Sequence, residues 1–280
     1  MKHFIRKIGR KIVSFAHPKN KPIVQVELKK IDYGGLLKGK TAVITGGNKG
    51  IGFSMAKKFL SEGARVLIVG RNEQLLQKAT NELGEETKYF VFDTTCTEQA
   101  DSFIEKCYDL LGGVDIFVNN AGISLHEGNF KNVTIEGFDR QFNTNLKGPY
   151  FLSKAYCEKK LKNKETGNLL FISSNTSAKC VDIPYGLTKV AINSLVGALS
   201  RRVYNQGIRV NAIWPGVVPT DMTKDFTTEG DYAFDTPCGR LFLPDEIAEV
   251  ACFIVSDASK CISGEVLFCD AGNHLNVNWK

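Results

Sequence analysis

Thr41-Ala42-Val43-Ile44-Thr45-Gly46-Gly47-Asn48-Lys49-Gly50-Ile51-Gly52 begins as a run of apolar and β-branched residues and passes directly into a glycine-rich turn. A short continuous apolar run bounded by turn residues reads as a strand buried on both faces, as in a parallel sheet. Six further runs of this kind follow at 64–69, 88–93, 114–119, 168–173, 209–214 and 265–269, separated by helix-length stretches. Strands alternating with helices imply right-handed crossovers. The expected fold is therefore α/β, a doubly wound, seven-stranded parallel sheet with helices on both faces. Residues 217–240 interrupt the rhythm with a long, mixed polar stretch, which predicts a lid or binding loop.

The chain of 280 residues is short enough for one undivided α/β domain. Its 43% apolar and 24% charged content is that of a soluble globular protein and excludes a fibrous or low-complexity chain. The net charge of +6 is unevenly placed: residues 1–40 hold eleven Lys or Arg and two acids, so the rest is slightly acidic. The basic character thus describes an N-terminal arm, residues 1–37, ahead of a body at 38–280, and gives no reason to expect nucleic acid as a partner. The eight cysteines form no Cys-x-x-Cys pair. Several sit in apolar runs, as small hydrophobes do, which suits a reducing, cytoplasmic setting. No apolar stretch is long enough to span a bilayer.

A glycine turn between a first strand and its helix lets backbone amides approach a pyrophosphate at the helix N-terminus. Gly46, Asn48, Lys49, Gly50, Ile51 and Gly52 are the candidate dinucleotide contacts. The second strand ends in Val69-Gly70-Arg71-Asn72, with no carboxylate to receive the ribose hydroxyls of NAD. Arg71 suits a 2′-phosphate, with Lys49 as a second cation, which points to NADP(H). Asp93, at the end of the third run, is expected near the adenine.

Tyr185 and Lys189 lie four apart in a helix expected to start at Pro184, so they share one face. A phenol with a pKa of about 10 is a poor acid–base catalyst near neutrality. A neighbouring ammonium favours the phenolate and draws that pKa downward. Ser174, after the preceding strand, is placed to hold the same substrate oxygen, with Ser173 as the competing assignment.

Together these features resemble the short-chain dehydrogenase/reductase family over roughly residues 38–272, which implies a single Rossmann-type domain. The glycine turn is similar to the family's Thr-Gly-x-x-x-Gly-x-Gly, and Asn119-Asn120-Ala121-Gly122 to the motif closing its fourth strand. The resemblance implies cofactor contacts at Asn119, Ala121, Gly122, Pro215, Gly216, Val218 and Thr220, the last toward the nicotinamide carboxamide. It makes Asn145, Ser174, Tyr185 and Lys189 the catalytic set, with Asn145 supporting a proton relay and Lys189 also gripping the ribose. The implied activity is NADP(H)-dependent hydride transfer between nicotinamide and a carbonyl or secondary alcohol, in a homodimer or homotetramer. Two departures stand out: the Ser174–Tyr185 interval is about two residues shorter than usual, and Ala271 replaces a customary glycine.

Substrate is expected between the segment after Ser174, the 217–240 lid and the loop 123–131, with Ile183, Trp214, Phe226, Phe234, Lys179 and His126 nearby. A 3-oxoacyl thioester is the first substrate class. Arg201 or Arg202 suits an acidic carrier, but Glu165 stands where the second basic anchor would be. Sugar-linked, steroid-like and xenobiotic ketones are the alternatives. No carboxylate or second His lies at ligand spacing from His126 or His274, so no metal site is expected. Two other classes compete with an enzyme: a non-catalytic NADP-binding regulator and a membrane-associated adaptor. The adaptor reading rests on residues 1–16, where at helical spacing Phe4, Ile5, Ile8, Ile12, Phe15 and Ala16 face one way and Lys2, Arg6, Lys7 and Arg10 the other. That pattern suits peripheral contact with an anionic membrane, helix packing on another subunit, a disordered tail or a cleaved presequence.

Overall fold

The computed structural model describes residues 34–178, 181–224 and 237–275. The amphipathic pattern of residues 1–16 and the side chains of Lys179, Phe226 and Phe234 lie outside them.

Seven strands form one parallel sheet: β1 (Thr41–Thr45), β2 (Arg65–Gly70), β3 (Thr87–Val91), β4 (Ile116–Asn119), β5 (Gly167–Ile172), β6 (Ile208–Pro215) and β7 (Val266–Cys269). Their order is β3-β2-β1-β4-β5-β6-β7. Every predicted strand is present, displaced by one to two residues at most at each end. Helices α1 (Gly50–Ser61), α2 (Glu73–Leu83) and α7 (Pro244–Val255) cover one face, where Met55, Phe59, Leu76, Ile247 and Ala251 meet Ala42, Ile44 and Ile68. Helices α3 (Ala100–Leu111), α5 (Gly148–Asn163) and α6 (Pro184–Val203) cover the other, where Phe103, Tyr156, Ile192 and Val196 meet Val43, Leu67 and Phe117. Neighbouring residues of β1 thus enter opposite cores, which is why its sequence is apolar throughout rather than alternating. Leu37 is also buried, its amide donating to Glu62 O at 3.0 Å.

The strand order reverses on either side of β1, which leaves a crevice at the carboxyl ends of β1 and β4. Helix α4 (Ile135–Phe142) runs into α5 through a π-helical turn, Asn143–Lys147, which carries Asn145. Such turns recur at functional sites because they redirect one side chain without ending the helix.

Arg209, on β6, is buried and makes no ion pair among the described residues. Its guanidinium donates to the carbonyls of Ile254, Ser256, Ser259 and Ile262, at and beyond the end of α7. Ala271 has φ of 52°, in the left-handed region. This explains why a glycine is customary there: a Cβ in that conformation costs about 1 kcal/mol. Three of the cysteines, Cys107, Cys157 and Cys252, are free and buried. Among the described residues, no helix is long and apolar enough to cross a membrane.

Candidate active site

The crevice is a cleft of about 1110 Å³. The glycine turn forms one wall. Gly46 and Gly50 have φ of 66° and 55°, conformations that favour glycine. A Cβ on Gly52 would lie 2.3 Å from Gly46 O, so no side chain fits there. Helix α1 starts at Gly50 with no side-chain cap. A glycine cradle ending at an uncapped helix N-terminus suits a pyrophosphate, so the residues present fit a dinucleotide.

Two residues absent from the sequence-predicted set hold this wall. Thr45 Oγ1 donates to Val118 O at 3.1 Å and accepts from the amides of Asn120 and Ala121 at 3.0 and 3.1 Å. Asn120 Nδ2 donates to the carbonyls of Thr45 and Gly46, at 2.9 and 3.1 Å. They lock the ends of β1 and β4 together beneath the glycine turn. Both stand inside the quoted motifs, but their partners lie about 75 residues away, a distance local patterning does not reach.

Of the predicted cofactor contacts, Gly46, Asn48, Lys49, Gly50, Ile51, Gly52, Ala121, Gly122, Tyr185, Lys189, Pro215, Gly216, Val218 and Thr220 line the cleft. Asn119 does not line it. Its side chain is buried and donates to Ser153 Oγ on α5 at 2.9 Å, so it ties sheet to helix. Arg71 is exposed beyond β2, with Asp93 Oδ2 at 3.8 Å. Lys49 is engaged elsewhere, 2.6 Å from Asp221 Oδ2, so the two expected phosphate-binding cations have different carboxylate partners.

The opposite wall carries Ser174, Tyr185 and Lys189. Helix α6 starts with Pro184 at its N-terminus and brings Tyr185 and Lys189 onto one face, the Lys189 ammonium 5.6 Å from the phenol ring centre. Lys189 is buried and donates to Ile172 O at 2.8 Å. Burial without a counter-charge pulls its pKa down to about 8. Burial also raises the Tyr185 phenol above its ordinary value, and the Ser174 hydroxyl acts in the opposite sense. Desolvation sets the net direction, and the phenol holds its proton at neutral pH.

Ser173 and Ser174 both line the cleft but have different partners. Ser173 Oγ donates to Asn193 Oδ1 on α6 at 2.7 Å. Ser174 Oγ accepts from the amide and hydroxyl of Thr176, at 3.3 and 3.1 Å, and acts on the Tyr185 phenol. Asn145 is buried, and its carboxamide bonds both Ile123 N and Ile123 O, at 2.9 and 2.8 Å. A Cβ on Gly122 would lie 3.4 Å from Asn145 Oδ1 and 3.7 Å from Lys189 Nζ, so the two side chains flank that glycine.

On the substrate side, Ile183 and His126 line the cleft as expected. Trp214 does not: it is fully buried, packed edge-on against Phe268 at 4.3 Å, because β6 lies between β5 and β7 and is buried along its whole length. Glu165 is tied to Lys160 and Tyr108, at 2.9 and 2.8 Å, while Arg201 and Arg202 are exposed.

A family model described as enoyl-(acyl carrier protein) reductase matches residues 46–274. The chain belongs to the short-chain dehydrogenase/reductase family. It is 35% identical over 246 residues to the 3-oxoacyl-[acyl-carrier-protein] reductase FabG of Chlamydia trachomatis, covering 85% of this chain and 98% of the relative. It is 30% identical to an L-rhamnose 1-dehydrogenase (NADP(+)) of Thermoplasma acidophilum, covering 86% and 98%. Among solved structures, the 3-ketoacyl-(acyl-carrier-protein) reductase of Brucella melitensis complexed with NADH superposes with a TM-score of 0.78. The two share 32% identity, over 85% of this chain and all of that one. This dehydrogenase/reductase is therefore an oxidoreductase with the family's nucleotide-binding Rossmann fold.

Proposed function

We propose that this protein is an NADP(H)-dependent carbonyl reductase or secondary-alcohol dehydrogenase in which Tyr185 is the acid–base. The observation that carries the reading is one cleft with the glycine turn on one wall and Ser174, Tyr185 and Lys189 on the other. Bound in it, the nicotinamide would supply or accept the hydride. Ser174 holds the substrate oxygen, Tyr185 gives that oxygen its proton, and Lys189 orients the ribose and restores the proton. Asn145, beside Lys189 across Gly122, supports the relay.

Relatives carry NADH and NADP(+) alike in their names, so cofactor choice rests on this chain's own residues. Arg71, at the tip of β2 where an NAD-binding enzyme needs an acid, favours the 2′-phosphate. Arg71→Ala is expected to raise KM for NADPH about tenfold or more, the range of a lost charge-assisted bond, and to leave KM for NADH within about twofold. Following NADPH and NADH oxidation against a panel of ketones, sugars and 3-oxoacyl thioesters tests both points. Equal use of the two dinucleotides by the unaltered protein overturns the cofactor assignment, and no turnover with any carbonyl overturns the activity. A 3-oxoacyl thioester heads the panel because relatives bear that name. Glu165, tied to Lys160 and Tyr108, stands in place of the second basic anchor that an acidic carrier protein would need.

We further infer a homodimer or homotetramer. Ile135 and Phe138 on α4 and Tyr150 and Phe151 on α5 are exposed apolar side chains on consecutive helices, which a second copy of the chain would cover. A monomer in sedimentation equilibrium at micromolar concentration overturns this. Free cysteines, three of them buried, suit a reducing cytoplasmic setting.

A further inference from the structure

Residues 217–224 follow β6 and roof the cleft. Within them, residues 220–223 form a compact turn. The Thr223 amide donates to Thr220 O at 2.9 Å. The Thr220 amide donates to Thr223 Oγ1 at 2.8 Å, and that hydroxyl donates to Val218 O at 2.7 Å. These bonds tie the turn to itself. It meets the glycine turn twice. A Cβ on Gly50 would lie 3.2 Å from Thr220 Cγ2, so the Thr220 methyl rests on that glycine. Beside it, Lys49 Nζ is 2.6 Å from Asp221 Oδ2. From the substrate wall, His126 Nε2 lies 2.8 Å from Met222 O. Lys49 is the residue preceding α1, so the ion pair joins the roof to the start of the helix whose amides face the cleft.

We propose that Asp221 is a positioning residue, which, through Lys49, seats the 220–223 turn on the glycine turn and thereby slows release of the dinucleotide lying beneath Thr220. This rests on the cofactor reading under Proposed function. The pair is solvent-exposed, so its contribution is that of a surface ion pair, up to about fivefold in an equilibrium, and it weakens with salt.

Two measurements test the proposal. The first is amide hydrogen exchange across residues 220–223 in the cofactor-free protein. The second is stopped-flow release of NADPH and of NADH from the unaltered protein and from Asp221→Asn, Asp221→Glu, Lys49→Gln and the Asn/Gln double variant. Asp221→Asn is expected to speed exchange of the 220–223 amides and release of NADH by about two- to fivefold, while Asp221→Glu keeps both near the original values. Lys49→Gln is expected to match Asp221→Asn for NADH, and the double variant to add nothing further. The difference between Asp221→Asn and the unaltered protein should vanish near 1 M salt. Unchanged exchange in Asp221→Asn, additive effects of the two single changes on NADH, or faster exchange with unchanged release each overturns the proposal. Failure of the unaltered protein to bind either dinucleotide instead overturns the cofactor reading on which it stands.

Discussion

Replacing Tyr185 by Phe is expected to lower kcat for carbonyl reduction by about 10²–10⁴-fold, the usual share of a positioned general acid, while NADPH still binds. The side chain keeps its ring, its place on α6 and its packing, and loses only the hydroxyl that burial keeps protonated. Because that hydroxyl exchanges its proton with the substrate oxygen during reaction, its loss appears in kcat rather than in the dissociation constant. Fluorescence titration with NADPH alongside steady-state turnover separates the two. Turnover by Tyr185→Phe at the level of the unaltered enzyme overturns the mechanism. Ser174→Ala serves as a comparison, since Ser174 both faces the phenol and lowers its pKa.

The second large effect concerns Lys189, where function and stability oppose each other. Its folded pKa of about 8 lies below the ordinary value of 10.5. Between those values the unfolded chain holds more protons than the folded one, so stability rises with pH across that window. Below about pH 8 both states are protonated and the full burial penalty is present; above about 10.5 it is gone. A shift of this size corresponds to about 3 kcal/mol. Lys189→Met removes the buried charge but leaves Ile172 O without its donor, which costs about 1 kcal/mol. The cofactor-free Met variant is therefore expected to be more stable than the unaltered protein at pH 7, by about 2 kcal/mol, and to be catalytically inert. Its stability should also lose the rise between pH 8 and 10.5. Urea unfolding at several pH values checks this, and a Met variant less stable at pH 7 overturns the reading of Lys189 as an uncompensated buried charge.

Much of the site could be anticipated because it is local. Glycines 46, 50 and 52, the tyrosine–lysine pair and the missing acid after β2 all depend on spacing within one turn or one helix. The misplacements have equally definite causes. Trp214 is expected near the substrate, yet it is fully buried on β6 and its indole packs with Phe268 on the neighbouring strand. Asn119 sits in a cofactor motif, yet one residue along a strand changes the face, and its amide meets Ser153 while Asn120 meets the glycine turn. Lys49 was paired in expectation with Arg71, whereas the fold supplies Asp221 from 172 residues away.

By itself, the sequence determined the seven buried strands, their parallel sense, the glycine cradle and the placing of Tyr185 and Lys189 on one helical face. Each of these follows from a period of two or 3.6 residues, or from a backbone conformation that glycine favours, and such signals are complete within a short window. Only the tertiary structure decided which partners each serine takes, which asparagine latches the cradle, that burial raises the Tyr185 phenol, and which carboxylate meets Lys49. Those outcomes depend on which ends of distant strands the order β3-β2-β1-β4-β5-β6-β7 brings side by side, and on how much water the assembled cleft leaves around each charge.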